Sequence, residues 1–456
     1  MQKRNFILLI IVLVLVIAGL LGFLYLRSGT TPGDVIDDGT NFLSQFNPFK
    51  SNTPAPTDEP PSTDTNGDGI ISEEELAAVK LKKVSTMPIA GFTVFSKERL
   101  KEVPLPVPPA PVNTEAEIPG EATAPAPVPP KKPTTKATAP ATEFAPALRY
   151  VERATGNIYQ TFADKIEERR FSGTVIPKIY DAYFGNKGQS VVMRHLKSDE
   201  ATIETFTGFL PKEKLGEDIA SNEVKGSFLT EGIKDISLSP DNLKIFHLFN
   251  VGGSAVGTIL NLADSKKTQI FTSAFTEWNS GWGNSKIITL TTKPSGNTLG
   301  YMYMMGIDGK NFIKVLGDIN GLTTQMSPNG KSVLVSNNEL SLYVFDMGTK
   351  AYTRLGVNTL PEKCVWNKTS EFVYCAVPTF IESALYPDDW YRGEISFSDQ
   401  IWKIDIKNRN AEMLADPFEI AGGEDIDGIK LMLDENENYL FFVNKKDSFL
   451  WELELG

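Results

Sequence analysis

The chain has 456 residues, 41% hydrophobic and 22% charged, which is the composition of two or three ordinary domains or of one large repeat domain with tails. Its formal net charge of -12 excludes a broad nucleic-acid-tracking surface, which needs clustered Lys and Arg. With only two cysteines and no histidine near them, a tetrahedral zinc site is excluded as well.

At the N-terminus, Lys3 and Arg4 precede an uncharged apolar run from Phe6 to Leu26. That run is about the 20 residues a helix needs to cross a bilayer. It is longer than the core of a cleaved signal peptide, so residues 1–27 are expected to be a cytoplasmic tip and an uncleaved single-pass anchor. The positive charges before the span, against Arg27 alone after it, put the N-terminus in the cytoplasm and the rest outside the cell membrane. Residues 28–63 are poor in large apolar side chains and rich in Pro, Thr, Ser, Asp and Gly, and are expected to form a flexible stalk.

Residues 64–75 fit the calcium-loop pattern D-x-[DN]-x-[DN]-G-x5-E at every required position. Asp64, Asn66 and Asp68 alternate so that their oxygens can converge on one ion. Ile70 offers a carbonyl, Ser72 can act through water, and Glu75 can close the site with two oxygens. Glu73 to Lys80 can form the exiting helix, whereas Pro54, Pro56, Pro60 and Pro61 deny an entering one. Residues 64–80 are therefore an unpaired, EF-hand-like half-hand with calcium as its cofactor, in a structural rather than a sensing role. A solvated acidic turn is the alternative.

Residues 81–456 are expected to form an all-β domain. Residues 101–146 are dense in Pro and Ala and read as a disordered insertion. Thereafter short strands recur with turn punctuation. Ser239-Pro240-Asp241-Asn242 and Ser327-Pro328-Asn329-Gly330 each precede an apolar strand, two periods of about 44 residues apart. Four strands per period is the spacing of a β-propeller blade. Leu342 to Asp346 and Ile401 to Asp405 are similar strand ends. These turns and strands resemble the TolB-type, WD-like propeller repeats, and the region is also similar to exported propeller proteins of small-genome bacteria. The resemblance implies a fold and no activity. Seven blades are expected, six beginning near Ala147 being the alternative. The last repeat has three strands, and residues 81–86 are the candidate for its fourth, closing the ring.

Cys364 and Cys375 flank a strand, a polar turn and a strand, which makes them approximate cross-strand neighbours. A disulfide is expected outside the cytoplasm, with two buried thiols as the alternative. Asp388, Asp389, Trp390 and Tyr391 occupy an extended insertion between two strands and are candidates to bind a sugar, a cation or a basic peptide. Trp278 and Trp282 are candidates for ligand stacking against a default of blade packing. His195 and His247 sit in apolar strands and read as sheet residues. No catalytic elbow, phosphate loop or dinucleotide fingerprint is present. The expected function is a non-catalytic binding or scaffold module at the cell envelope, with an envelope protein or glycan as partner and no nucleic acid. The alternative is a glycan-active or lactonase-type propeller enzyme that uses channel carboxylates.

Overall fold

A computed structural model of the chain describes residues 81–101, 141–165, 167–173, 176–213, 215, 223–420 and 422–455. They belong to the second of two units, Ile71–Gly456. The calcium-loop residues Asp64, Asn66, Asp68, Ile70, Ser72 and Glu75 lie outside the described residues, as do the apolar run Phe6 to Leu26 and the stalk. Among the described residues no helix is long and apolar enough to cross a membrane.

The described residues form seven four-stranded antiparallel sheets, the blades of an all-β propeller. Blade 1 contains β2 (Ile89–Leu100), β3 (Thr142–Glu152), β4 (Ile158–Phe162) and β5 (Arg169–Arg170). Blade 2 begins with β6 (Ile179–Gly185), followed by β7 (Ser190–Leu196) and β8 (Ile203–Phe209). The first strands of blades 3 to 6 are β10 (Ile233–Leu238), β14 (Trp278–Asn284), β18 (Thr323–Met326) and β22 (Cys364–Trp366). Blade 7 is built from β26 (Gly428–Leu433), β27 (Tyr439–Asn444) and β28 (Leu450–Glu454). It is completed by β1 (Leu81–Lys83), which pairs with β28 in the register Leu81↔Leu453 and Lys83↔Trp451. First strands of successive blades touch, β2 with β6, β10 with β14, β14 with β18, and β26 with both β22 and β2. They therefore line the central channel.

The burial pattern explains the sequence pattern. Second strands such as SVLVS (Ser332–Ser336) and YLFFVN (β27) are apolar almost throughout, because they are covered on both faces by neighbouring blades. The core is accordingly a ring of layers between blades. Leu334 and Leu342 meet Trp366 and Cys375 in one layer, and Ile89 and Leu148 meet Phe441 and Leu450 in another. The recurrent Ser-Pro turns are hairpin devices. Buried Ser239 accepts from the Lys244 N–H at 2.9 Å and Ser327 from that of Ser332 at 3.1 Å. Asn242 and Gly330 hold the same left-handed turn position, with φ of 54° and 70°, where Asn and Gly are the tolerated residues.

Two expectations need correction. The insertion is shorter than residues 101–146, because β3 already starts at Thr142, opposite Leu100. Pro146 is tolerated there because the register of β3 with β4 begins only at Ala147; its carbonyl still accepts from the Ala163 N–H at 3.0 Å, and the described residues before it pair with β2 alone. Asp388 to Tyr391 is not extended but lies in a short helix, α1 (Asp388–Arg392), closed by Gly393 at φ 76°.

Candidate active site at the channel

The first strands of blades 1, 2 and 3 open alike, with Ile89-Ala90-Gly91, Ile179-Tyr180-Asp181 and Ile233-Lys234-Asp235, and each is bulged after its isoleucine. A bulge re-aims the following side chain, and in blades 2 and 3 that residue is an aspartate. In blade 1 it is Gly91, where a Cβ would come within 2.0 Å of the Ala182 carbonyl oxygen. Blade 7 has a bulge at the corresponding place, and there Lys430 takes φ 54°, a strained value for a side-chain-bearing residue. Its ammonium donates to Asp181 Oδ1 at 2.5 Å and to the Ala90 carbonyl at 2.7 Å, so blades 7, 1 and 2 meet at one ion pair. Burial would raise the Asp181 carboxyl, but the Lys430 ammonium and the Arg194 guanidinium hold it below its usual range.

Blades 3 to 6 enclose a polar cavity of about 230 Å³ lined by Asp235, Ser280, Thr291, Thr324, Glu362 and Tyr391 among others. Asp235 Oδ2 accepts from both the backbone N–H and the hydroxyl of Ser280 at 2.6 Å, yet burial pushes its carboxyl upward overall. Glu362 stands on the 3-10 turn Pro361–Lys363 that leads into β22. Its Oε1 accepts from the Tyr391 hydroxyl at 2.6 Å. The Glu362 side chain is open to the channel, but the surrounding protein mass pushes its carboxyl up to about 7. The Tyr391 ring is exposed, but the surrounding protein mass and the adjacent Glu362 push its phenol well above its ordinary value. A carboxyl poised near neutrality on an accessible cavity wall, sharing a hydrogen bond with a phenol, is suited to proton transfer.

Behind this pair lies a fully buried ion triad. Lys363 Nζ pairs with Asp399 at 2.7 Å and with Asp427, and donates to the Gly428 carbonyl at 3.2 Å. Asp427 Oδ2 also accepts from Trp390 Nε1 at 2.9 Å and from the Phe397 N–H at 3.1 Å. The triad thus grips the chain neighbour of Glu362 and the chain neighbour of Tyr391 together. Burial pushes the Asp399 carboxyl up to about 6, whereas Lys363 and the Trp390 donor keep Asp427 below its usual value against its own burial.

The residues singled out from sequence part company here. Of the α1 residues only Tyr391 reaches the cavity; Trp390 is 4% exposed and packs on Phe397. Asp388 accepts from the Gly296 N–H at 2.6 Å, and Asp389 from that of Leu385 at 2.7 Å while pairing with Arg392. Trp278 and Trp282 are buried between blades 3 and 4 and stack on no ligand surface, although Ser280 between them lines the cavity. Cys364 and Cys375 face each other across β22 and the next strand, with Cα atoms 4.1 Å apart, and are joined by a disulfide. His247 is buried, and burial lowers its imidazole to about 4. Asp181, Asp235, Glu362 and Lys430 went unnoticed in the sequence. The shared Ile-x-Asp opening of two first strands was the signal available for the aspartates. Among the described residues no group of three His, Cys, Asp or Glu side chains gathers to hold a metal ion.

No protein-family model matches the chain, and a search of curated proteins finds no match. Solved propellers do match. An oligogalacturonate lyase in complex with manganese is 10% identical at a TM-score of 0.46, covering 68% of this chain and 85% of its own. The oligogalacturonate lyase of Vibrio parahaemolyticus is 8% identical at a TM-score of 0.46, covering 68% of this chain and 86% of its own. The expectation of a non-catalytic scaffold is corrected at this point. The channel wall carries the carboxylates Asp235 and Glu362, which the alternative of a propeller enzyme calls for and a non-catalytic scaffold does not.

Proposed function

We propose that the chain is a glycan-active propeller enzyme of the cell envelope, with its acid/base centre at Glu362. The observation that carries this reading is the Glu362–Tyr391 pair, in which a carboxyl raised to about 7 opens onto a cavity shared with Asp235. In its protonated form Glu362 would protonate the glycosidic oxygen as the C–O bond breaks, water would add at the anomeric carbon with its proton passing to the Asp235 carboxylate, and Tyr391 would steady the Glu362 carboxylate left behind. The hydroxyls of Ser280, Thr291, Thr323 and Thr324, with the Asn279 amide, suit the donor-acceptor pattern of sugar hydroxyls, and the exposed Tyr391 ring offers a stacking face. At about 230 Å³ the cavity is below the usual range of roughly 300–1,000 Å³ for drug-sized ligands, which favours one sugar unit of a longer chain.

The setting follows from the sequence. The apolar run Phe6 to Leu26 would hold the propeller outside the membrane, and the Cys364–Cys375 disulfide is in keeping with that compartment. The loop 64–75 would hold calcium in a structural role, and the Ser-Pro turns support TolB-type kinship. The test is release of reducing ends from a panel of cell-envelope glycans by the full-length chain. Release that falls by about 10²–10⁴ in Glu362→Gln supports the reading. Release from no glycan in the panel counts against it.

A further inference from the structure

Outside the channel, each strand of blade 1 supplies one donor to a single point. Arg149, Gln160 and Arg169 are successive cross-strand neighbours on β3, β4 and β5, and Lys97 joins them from β2. Their focus is the carboxylate of Glu213, which arrives on the chain beyond β8 of blade 2. Arg149 reaches Glu213 Oε2 at 2.8 Å and Arg169 reaches Oε1 at 2.5 Å; Lys97 also donates to Oε2, and the Gln160 amide approaches Oε1 at 3.5 Å.

Arg149, at the centre of the receptor, is held independently of Glu213. Arg149 is 3% exposed, and its guanidinium lies over Phe171 at 4.0 Å and Phe95 at 5.1 Å. Its Nε donates to Gln160 Oε1 at 2.9 Å and another of its nitrogens to the Gly188 carbonyl at 2.7 Å. Among the described residues, the one carboxylate at this focus is Glu213, a single negative charge against three cations. Burial and the neighbouring Arg169 pull the Arg149 guanidinium down to about 10. One carboxylate needs no such assembly, whereas a tetrahedral dianion would use all three cations and the planar forks of two arginines. A solvent-open cavity of about 890 Å³ adjoins the cluster, lined also by Arg99, Lys165, Glu98, Glu167 and Glu168.

We propose that Lys97, Arg149, Gln160 and Arg169 form a binding site for a phosphate-type dianion, and that the Glu213 carboxylate holds the ligand's place. Such a dianion exists free or as a monoester on a larger molecule. Calorimetric titration of the full-length chain with inorganic phosphate and, separately, with glycerol phosphate distinguishes the two. Because Glu213 competes internally, Glu213→Gln should tighten phosphate binding about tenfold, and adding Arg169→Gln should undo the gain. Equal or tighter binding of glycerol phosphate identifies a monoester ligand; binding of inorganic phosphate alone identifies the free ion. Identical titrations for the native chain and a folded Glu213→Gln variant would overturn the proposal. Should Glu213→Gln not fold, the native chain is heated in phosphate against chloride of equal ionic strength. A phosphate-induced rise in Tm that Arg169→Gln abolishes supports the site, and a rise it leaves unchanged overturns it.

Discussion

Glu362 and Tyr391 show how an ordinary pair of residues acquires unusual acid/base character from its place. The Glu362 carboxyl keeps its proton up to about pH 7 in the folded chain, whereas an unfolded chain gives it up near the ordinary value of 4.5. Unfolding between those values therefore releases a proton, and the Glu362 contribution makes stability fall as pH rises across that window. Glu362→Gln should flatten that part of the stability-pH curve, as measured by urea midpoints at several pH values. Trp390→Phe keeps the ring but removes the donor to buried Asp427, and should cost about 1–3 kcal/mol in denaturant unfolding. At this scale the sequence was only partly legible. Tyr391 was readable as an aromatic on a long insertion, but its partner Glu362 carries no local motif. Trp278 and Trp282 follow their default reading of blade packing, although nothing in Trp278-Asn279-Ser280-Gly281-Trp282 says which side chains the neighbouring blade will cover.

Among the elements, the turn into β22 and the helix α1 are tied together by the Lys363 triad. Lys363→Met would leave Asp399 and Asp427 without their buried counter-ion. A loss of about 3–5 kcal/mol is expected by chemical denaturation, with the pH dependence of any turnover disturbed as well. The disulfide closes a short loop, its cysteines being 11 residues apart, so Cys364→Ala with Cys375→Ala should cost about 2–3 kcal/mol. Strands were the most legible elements, because their apolar runs and Ser-Pro turns are local. The helix α1 was hidden, since five residues are too few to show a helical period, and its ends are set by Pro387 and by Gly393 in the left-handed region. The start of β3 was misplaced because Pro146 reads as a strand breaker until its place at the end of the β3–β4 register is known.

In the whole molecule, seven blades were countable because each repeat carries its own four-strand signature, and the three-strand remainder at β26 to β28 calls for a strand from elsewhere. Because β1 completes that blade, a chain beginning at residue 87 should lose cooperative thermal unfolding or aggregate through the exposed edge of β28, as read by calorimetry and light scattering. The channel was the least legible feature, since Asp181 and Lys430, which pair, and Asp235 and Glu362, which line one cavity, lie far apart in the chain and come together only when the ring is closed. The channel site stands or falls with the pH-rate profile of glycan cleavage by the full-length chain and its Glu362→Gln variant. The account predicts that native activity falls as pH rises through about 7, as the donor proton is lost, and that Glu362→Gln abolishes this limb along with most of the rate. Cleavage by Glu362→Gln at the native rate, with the same limb, would contradict it.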